Sequence, residues 1–281
     1  VVPTFVLARF KNQFLLDPFI LNSVPKAGTH LLCRAVELFP GVAPGIAIRK
    51  AMEALAERFT GADSVMVPLA IGVETAVPFQ CARDALAQLR RGKHGYGHFH
   101  YSDELAGLLS AMGIKTVLIL RDPRDVVVSH ASHIFRGVRN RLHKHFQSLS
   151  EPERLMSCIR GCVADGYQFR SVDERFRAVL PWVSQPFNYT TYFEKLVGAK
   201  GGGSHETQMQ ELRNIAHHLG LGCSDNDLAQ IPDKLFGKSA TFRKGTIGSW
   251  RDTFEEHHRA AFKEVAGKLL IDLGYEQDLE W

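Results

Sequence analysis

Pro18-Phe-Ile-Leu-Asn-Ser-Val-Pro-Lys-Ala-Gly-Thr-His30 reads as a strand, a glycine loop and the start of a helix. The apolar run up to Val24 is continuous rather than alternating, as expected for a parallel strand buried on both faces. It breaks at Pro25-Lys-Ala-Gly28, and a helical pattern then continues through Leu38. A strand that turns through glycine into a helix leaves the first backbone N–H groups of that helix unpaired. Together with the helix dipole they favour a phosphate or sulfate. Lys26 adds a positive charge. The nucleoside-triphosphate loop G-x-x-x-x-G-K-[ST] places lysine after its last glycine and a hydroxyl on magnesium. Here Lys26 precedes Gly28, which suits an anion cradle that needs no metal. Taken alone, the segment fits a plain sharp turn equally well.

Lys115-Thr-Val-Leu-Ile-Leu-Arg121 is the clearest buried strand, with Asp122 as N-cap and Pro123 at the first helical position. Arg121 at the strand end and Ser129 nearly two turns into the helix can face one ligand above the sheet edge. Arginine binds phosphate bidentately and serine adds a hydroxyl; a salt-bridged helix start is the structural alternative. Arg124 and Asp125 are expected to be structural. A third segment, Thr241-Phe-Arg-Lys-Gly-Thr-Ile-Gly-Ser-Trp250, sets Arg243 and Lys244 before Gly245, which suits phosphate capture by side chain and main chain. A solvated basic loop is the alternative.

Between these segments the pattern predicts helices over 52–59 and 79–89, irregular structure over 65–78, and a strand end at 95–101 followed by a helix capped at Ser102. Residues 150–179 read as helical, 187–193 as a strand, 201–204 as a loop, and 206–219 and 254–273 as helices. This alternation predicts an α/β fold, a single-domain parallel β-sheet flanked by helices on both faces, with ligands at the carboxyl ends of the strands. One domain is expected over residues 1–281, whether whole or part of a larger enzyme.

The composition, 45% hydrophobic and 23% charged, is that of a globular protein, and a net charge of +4 from 34 basic and 30 acidic residues does not point to nucleic acid. Five cysteines without a C-x-x-C pair fit neither a disulfide framework nor a zinc site. Asp17 and Pro18 interrupt the apolar run 14–21, so neither a secretory signal nor a membrane span is expected and the protein is placed in the cytoplasm.

In order along the chain, P-K-[SA]-G-T, R-(x)7-S and R-K-G-x-x-G-x-W resemble the cytosolic sulfotransferase family, which transfers a sulfuryl group from 3′-phosphoadenosine-5′-phosphosulfate (PAPS) and releases adenosine 3′,5′-bisphosphate (PAP). The resemblance runs from about Pro18 to Trp250, and Leu273-Gly-Tyr-Glu276 is similar to bacterial members. It implies the family's P-loop-like nucleotide-binding fold, with Lys26, Ala27, Gly28, Thr29 and His30 on the 5′-phosphosulfate and Arg121, Ser129, Arg243, Lys244 and Gly245 on the 3′-phosphate. No metal is implied. The family's base is a histidine in H-[LF]-P-Y-S; Gly97-His-Phe-His-Tyr-Ser102 aligns His98 with it, and His100 falls at the proline. Histidine accepts a hydroxyl proton near neutral pH, so His98 and Lys26 are the catalytic candidates.

Three features depart from the animal pattern. His30-Leu31 replaces the tryptophan that stacks on adenine, leaving Phe236, Phe242 and Trp250 as candidates; Phe193 stands where a tyrosine precedes glutamate; and Tyr96-Gly97 replaces the residues before the base. Residues 193–204 resemble bacterial sulfotransferases, including domains of polyketide assembly, which implies a small-molecule or carrier-bound hydroxyl acceptor and, in the polyketide case, an acyl carrier protein partner. The basic stretch Arg136-Gly-Val-Arg-Asn-Arg-Leu-His-Lys-His145 reads as a solvated face or a surface for an anionic acceptor. A magnesium-dependent kinase lacks its G-K-[ST] motif here, and a nonenzymatic nucleotide-binding module has no need of His98 and Lys26.

Overall fold

In the computed structural model, which describes residues 16–62, 65–71, 75–235, 237 and 245–281, strand β1 (Phe19–Ser23) is buried along its whole length. Its side chains alternate between two cores. Phe19 and Leu21 pack with helix α1 (Thr29–Glu37) on one face of the sheet, whereas Ile20 points to the opposite face and the helix α2 (Ile48–Ala56). The unbroken apolar run therefore reflects burial on both faces.

A short antiparallel hairpin, β2 (Met66–Pro68) and β3 (Ala76–Pro78), leads into α3 (Phe79–Ala87). The sheet resumes with β4 (His94–Gly97), α4 (Asp103–Ala111), β5 (Lys115–Leu120) and α5 (Pro123–Arg136). After α6 (Glu151–Arg160) come the hairpin β6 (Cys162–Ala164) and β7 (Tyr167–Phe169), α7 (Val172–Arg177) and strand β8 (Asn188–Tyr192). The remaining long helices are α8 (His205–Leu219) and α9 (Glu256–Asp272).

The four sheet strands run in the order β4-β1-β5-β8, and every pairing is parallel. The larger core gathers α2 to α7 and α9 on one face; the other face is covered by α1, α8 and the helix Ile231–Leu235. Because β1 connects outward to β4 and the chain then returns to β5 on its other side, the crevice above β1 is a switch point, where ligands of parallel sheets bind.

The expected α/β architecture holds, with local differences. Residues 65–78 contain a hairpin rather than only irregular structure. The helix expected over 150–179 stops at Gly161, whose φ of 80° is left-handed, and the β6–β7 hairpin follows. The strand expected over 187–193 ends at Tyr192, and Phe193 opens a single helical turn. No helix among the described residues is long and apolar enough to cross a membrane.

Gly95 lets α2 lie against the sheet. A Cβ built there meets Ile20 Cδ1 at 2.7 Å and Ile48 Cγ2 at 2.9 Å. Gly95→Ala is therefore expected to lower the unfolding free energy by about 1–3 kcal/mol through overpacking, read as a lower urea midpoint with an unchanged slope.

Candidate active site at the carboxyl edge of the sheet

Parallel pairing decides which residues meet. Asn22 lies opposite Gly97, and Ser23 opposite Ile119, so the chain leaves β1, β4 and β5 at one edge, where Ser23, His98 and Arg121 follow. The turn after β1 is tight: Ala27 N donates to Val24 O at 3.0 Å, and Lys26 holds a φ of 75°, uncommon for a residue with a side chain. Gly28 follows with a φ of 115°, and a Cβ there falls 3.0 Å from both Ile119 Cδ1 and Phe193 Cδ2. Helix α1 begins at Thr29 with no side-chain cap and no acidic residue in its first turn. Its leading N–H groups thus face the crevice as anion donors. His30, in that first turn, is exposed.

His98 reaches across to this loop. Its Nδ1 lies 2.9 Å from the Ser23 carbonyl oxygen and 3.1 Å from Ser23 Oγ, which is itself 2.6 Å from Thr29 Oγ1. A carbonyl only accepts, so Nδ1 carries the proton and Nε2 presents its lone pair. Burial pushes the pKa down to about 4; the carbonyl bond opposes this, and the charges of Arg49, His30 and Lys26 add to it. The ring is a neutral base of fixed tautomer. His100, the alternative, turns its Nδ1 to the Tyr101 carbonyl at 2.7 Å.

Sequence reasoning missed what holds His98. The carboxamide of Asn22, 4% exposed, accepts from Ser23 N and Phe99 N, both at 2.8 Å, and donates to Phe99 O at 3.2 Å. Trp182 Nε1 donates to the same carbonyl at 3.2 Å. On the other side His100 N donates to Leu69 O at 3.1 Å, and Ala70 bridges to Phe99, so the β2–β3 loop also grips the segment. The available signal was a polar pair, Asn22-Ser23, at the end of an apolar strand.

Arg121 is buried at the end of β5, with its guanidinium 4.1 Å over the Phe193 ring. Nη2 donates to Thr246 O at 2.9 Å and to Asp125 Oδ2 at 3.3 Å, while Nε is buried without a partner among the described residues. Asp125 anchors the loop beside it, accepting from Gly248 N, Ser249 Oγ and Trp250 N at 2.8, 2.8 and 3.0 Å. Gly245, half-buried, begins that loop, and Ile247 N donates to Gly201 O at 2.9 Å. Ser129 is half-buried on α5. Arg243 and Lys244, like Phe236 and Phe242, lie outside the described residues.

Arg124 is structural, as expected. It is 1% exposed, pairs with Asp122 and Glu276, and sits 4.0 and 4.5 Å from the ring centroids of Trp250 and Trp281. Trp250 is thereby committed to the core at 3% exposure, which removes it as a platform for adenine. The glutamate after Phe193 is also a brace: Glu194 accepts from Asp122 N and from Tyr275 OH, each at 3.0 Å.

No protein-family model matches the chain, and no curated protein sequence matches it. Solved structures do match. A mouse sulfotransferase, SULT7A1, complexed with PAP aligns with a TM-score of 0.61 at 17% identity, over 92% of this chain and 87% of that one. A retinol dehydratase in complex with androsterone and inactive cofactor PAP aligns with a TM-score of 0.53 at 15% identity, over 94% and 85%. A complex of retinol dehydratase with retinol and PAP gives a TM-score of 0.53 at 15% identity, over 94% and 86%. The chain has the sulfotransferase fold. At such identities the likeness is one of fold, and what this sulfotransferase fold does must be argued from its own residues.

Asn22→Ala removes one donor and one acceptor from a buried network and leaves Phe99 N unsatisfied. It is expected to cost about 1–3 kcal/mol in urea unfolding. The His98 pKa has its own test. Nitrogen-15 NMR on the ligand-free protein should show Nδ1–H and a titration midpoint nearer 4 than the ordinary value of about 6.5. Because the unfolded chain binds this proton first, the folded state loses stability as pH falls from about 6.5 toward 4, and His98→Gln should flatten that limb.

Proposed function

We propose that the chain is a PAPS-dependent sulfotransferase acting on the hydroxyl of a small-molecule or carrier-bound acceptor. The observation that carries this reading is His98 tied through Nδ1 to Ser23 at the mouth of an uncapped helix, so that base and anion cradle form one unit. PAPS would supply an activated sulfuryl group whose bond to the bridging phosphate oxygen breaks as the acceptor oxygen bonds to sulfur. His98 Nε2 takes the acceptor proton. Lys26 and the N–H groups at the start of α1 bind the charge that develops on the phosphate side.

The residues of the crevice fit such a nucleotide. Gly28 holds the left-handed turn where a side chain would press on Ile119 and Phe193, and Thr29 and His30 supply backbone donors to the cradle, while the N–H of Ala27 is engaged by the Val24 carbonyl. Arg121, fixed by Asp125 and Thr246 yet with Nε unpartnered among the described residues, and Ser129 are assigned to the 3′-phosphate, together with Gly245, Arg243 and Lys244. No metal is required by these roles. The retinol and androsterone complexes of the retinol dehydratase fold neighbours support an acceptor of small-molecule size.

Calorimetric titration with PAP in metal-free buffer tests the reading. Micromolar binding is expected, weakened at least tenfold by Arg121→Ala as a charge-assisted contact of about 1.5–3 kcal/mol is lost. His98→Ala should leave PAP affinity within a few-fold and reduce sulfuryl transfer by about 100-fold or more. A wild-type protein that ignores PAP but binds magnesium ATP would refute the assignment.

A further inference from the structure

Arg175, on α7, is fully buried and forms no ion pair among the described residues. Nε donates to Ser171 O at 3.2 Å, Nη2 to Cys158 O at 2.7 Å, and Nη1 to His130 Nδ1 at 2.6 Å; the guanidinium lies 4.7 Å from the Phe169 ring centroid. A buried cation satisfied only by neutral acceptors is costly and uncommon. Burial lowers its pKa only to about 10, so the charge persists at neutral pH.

The contact with His130 fixes that ring. Arginine has donors and no acceptor, so His130 Nδ1 must accept and the ring proton resides on Nε2. That N–H has no acceptor among the described residues, although the side chain is only 7% exposed. Phe169 packs edge-on against the ring at 5.2 Å. Burial first, then the charges of Arg175, His133, Lys26 and His98, push the pKa well below the ordinary histidine value. His130 is therefore a neutral, rigid N–H donor.

Its position is on α5, next to Ser129 and one turn before His133, whose ring centroid is 6.4 Å away. Its partner Arg175 lies on α7, and Ala178 at the end of that helix accepts from Tyr101 N at 2.7 Å, which joins α7 to the segment that carries His98. The charges that act on His98, His130 and His133 come from Lys26, Arg49, Arg175 and neighbouring histidines, with no carboxylate among them. A buried guanidinium polarising the His130 N–H, with the neighbouring carboxylate of Glu174 turned to Ser171 N and Oγ, is built to receive negative oxygen.

We propose that His130 Nε2, polarised by Arg175, binds an anionic oxygen of the acceptor, so that the acceptor is a hydroxy compound bearing a carboxylate or phosphate group. This rests on the sulfotransferase reading for the reacting hydroxyl, but not for the anion site itself.

The test uses histidine nitrogen-15 NMR of the whole protein saturated with PAP, with His130→Gln, which retains a donor, to assign the signal. Benzoate, phenyl phosphate and benzamide serve as probes of matched shape. The expected result is a neutral Nε2–H tautomer shifted by benzoate, by phenyl phosphate or by both, which separates the two anion classes, with at least tenfold weaker binding of benzamide. His130→Phe should abolish that tenfold preference while leaving PAP affinity unchanged. An Nδ1–H tautomer, a signal that PAP alone moves to its limit, or a signal moved by neither anion overturns the proposal. If PAP fails to bind but an anion still shifts His130, the sulfotransferase reading falls and the anion site stands.

Discussion

Where β1 and β4 diverge, the carboxamide of Asn22 takes over from the backbone ladder. Its three hydrogen bonds hold the segment after β4 to the end of β1 just as both strands give way to the loops of the proposed site. A buried amide satisfied on both its oxygen and its nitrogen is rigid because any rotation strands a donor or an acceptor in a dry interior. The direction of His98 follows from this, since its Nδ1 can meet the Ser23 carbonyl only if Phe99 is pinned beside it. The remainder of the crevice is arranged around that fixed point.

Much of this was legible in the sequence because burial on two faces leaves a plain trace. The runs that became β1 and β5 are apolar without alternation, and Asp122-Pro123 marks a helix start whose cap is realised by the bond from Arg124 N to Asp122 Oδ1. Less legible were features whose cause lies far along the chain. Trp250, a candidate platform by its motif, is claimed by Arg124 more than a hundred residues away, and the hairpin of residues 162–169 interrupts a pattern that reads as helix. His130 carried no signal at all, because its tautomer depends on Arg175, which helical periodicity presents as one more surface cation.

The buried cations divide by what surrounds them. Arg124 lies between two indoles and pairs with two carboxylates, so it joins α5 to the chain beyond α9. Arg121 is only half committed, with Asp125 and the Thr246 carbonyl on one nitrogen and a dry Nε that has no partner among the described residues. Arg175 forms no ion pair with a carboxylate among the described residues and hands its polarisation to a neighbouring ring. This gradation, from saturated to unsatisfied, runs from scaffold to crevice, and it follows the cost of leaving a buried charge uncompensated.

The tether of His98 to the loop it serves has an evolutionary consequence. In the proposed mechanism base and cradle share Ser23, so neither can drift without the other, and a lineage changing its acceptor must leave the strand ends alone. Leu69 and Ala70 meet the His98 segment through backbone contacts, while the Leu69 side chain is buried in the core with Phe99. On that proposal diversification is channelled into the exposed positions of one hairpin, whose Val67, Leu69 and Val77 stay buried, while the reaction geometry is inherited intact.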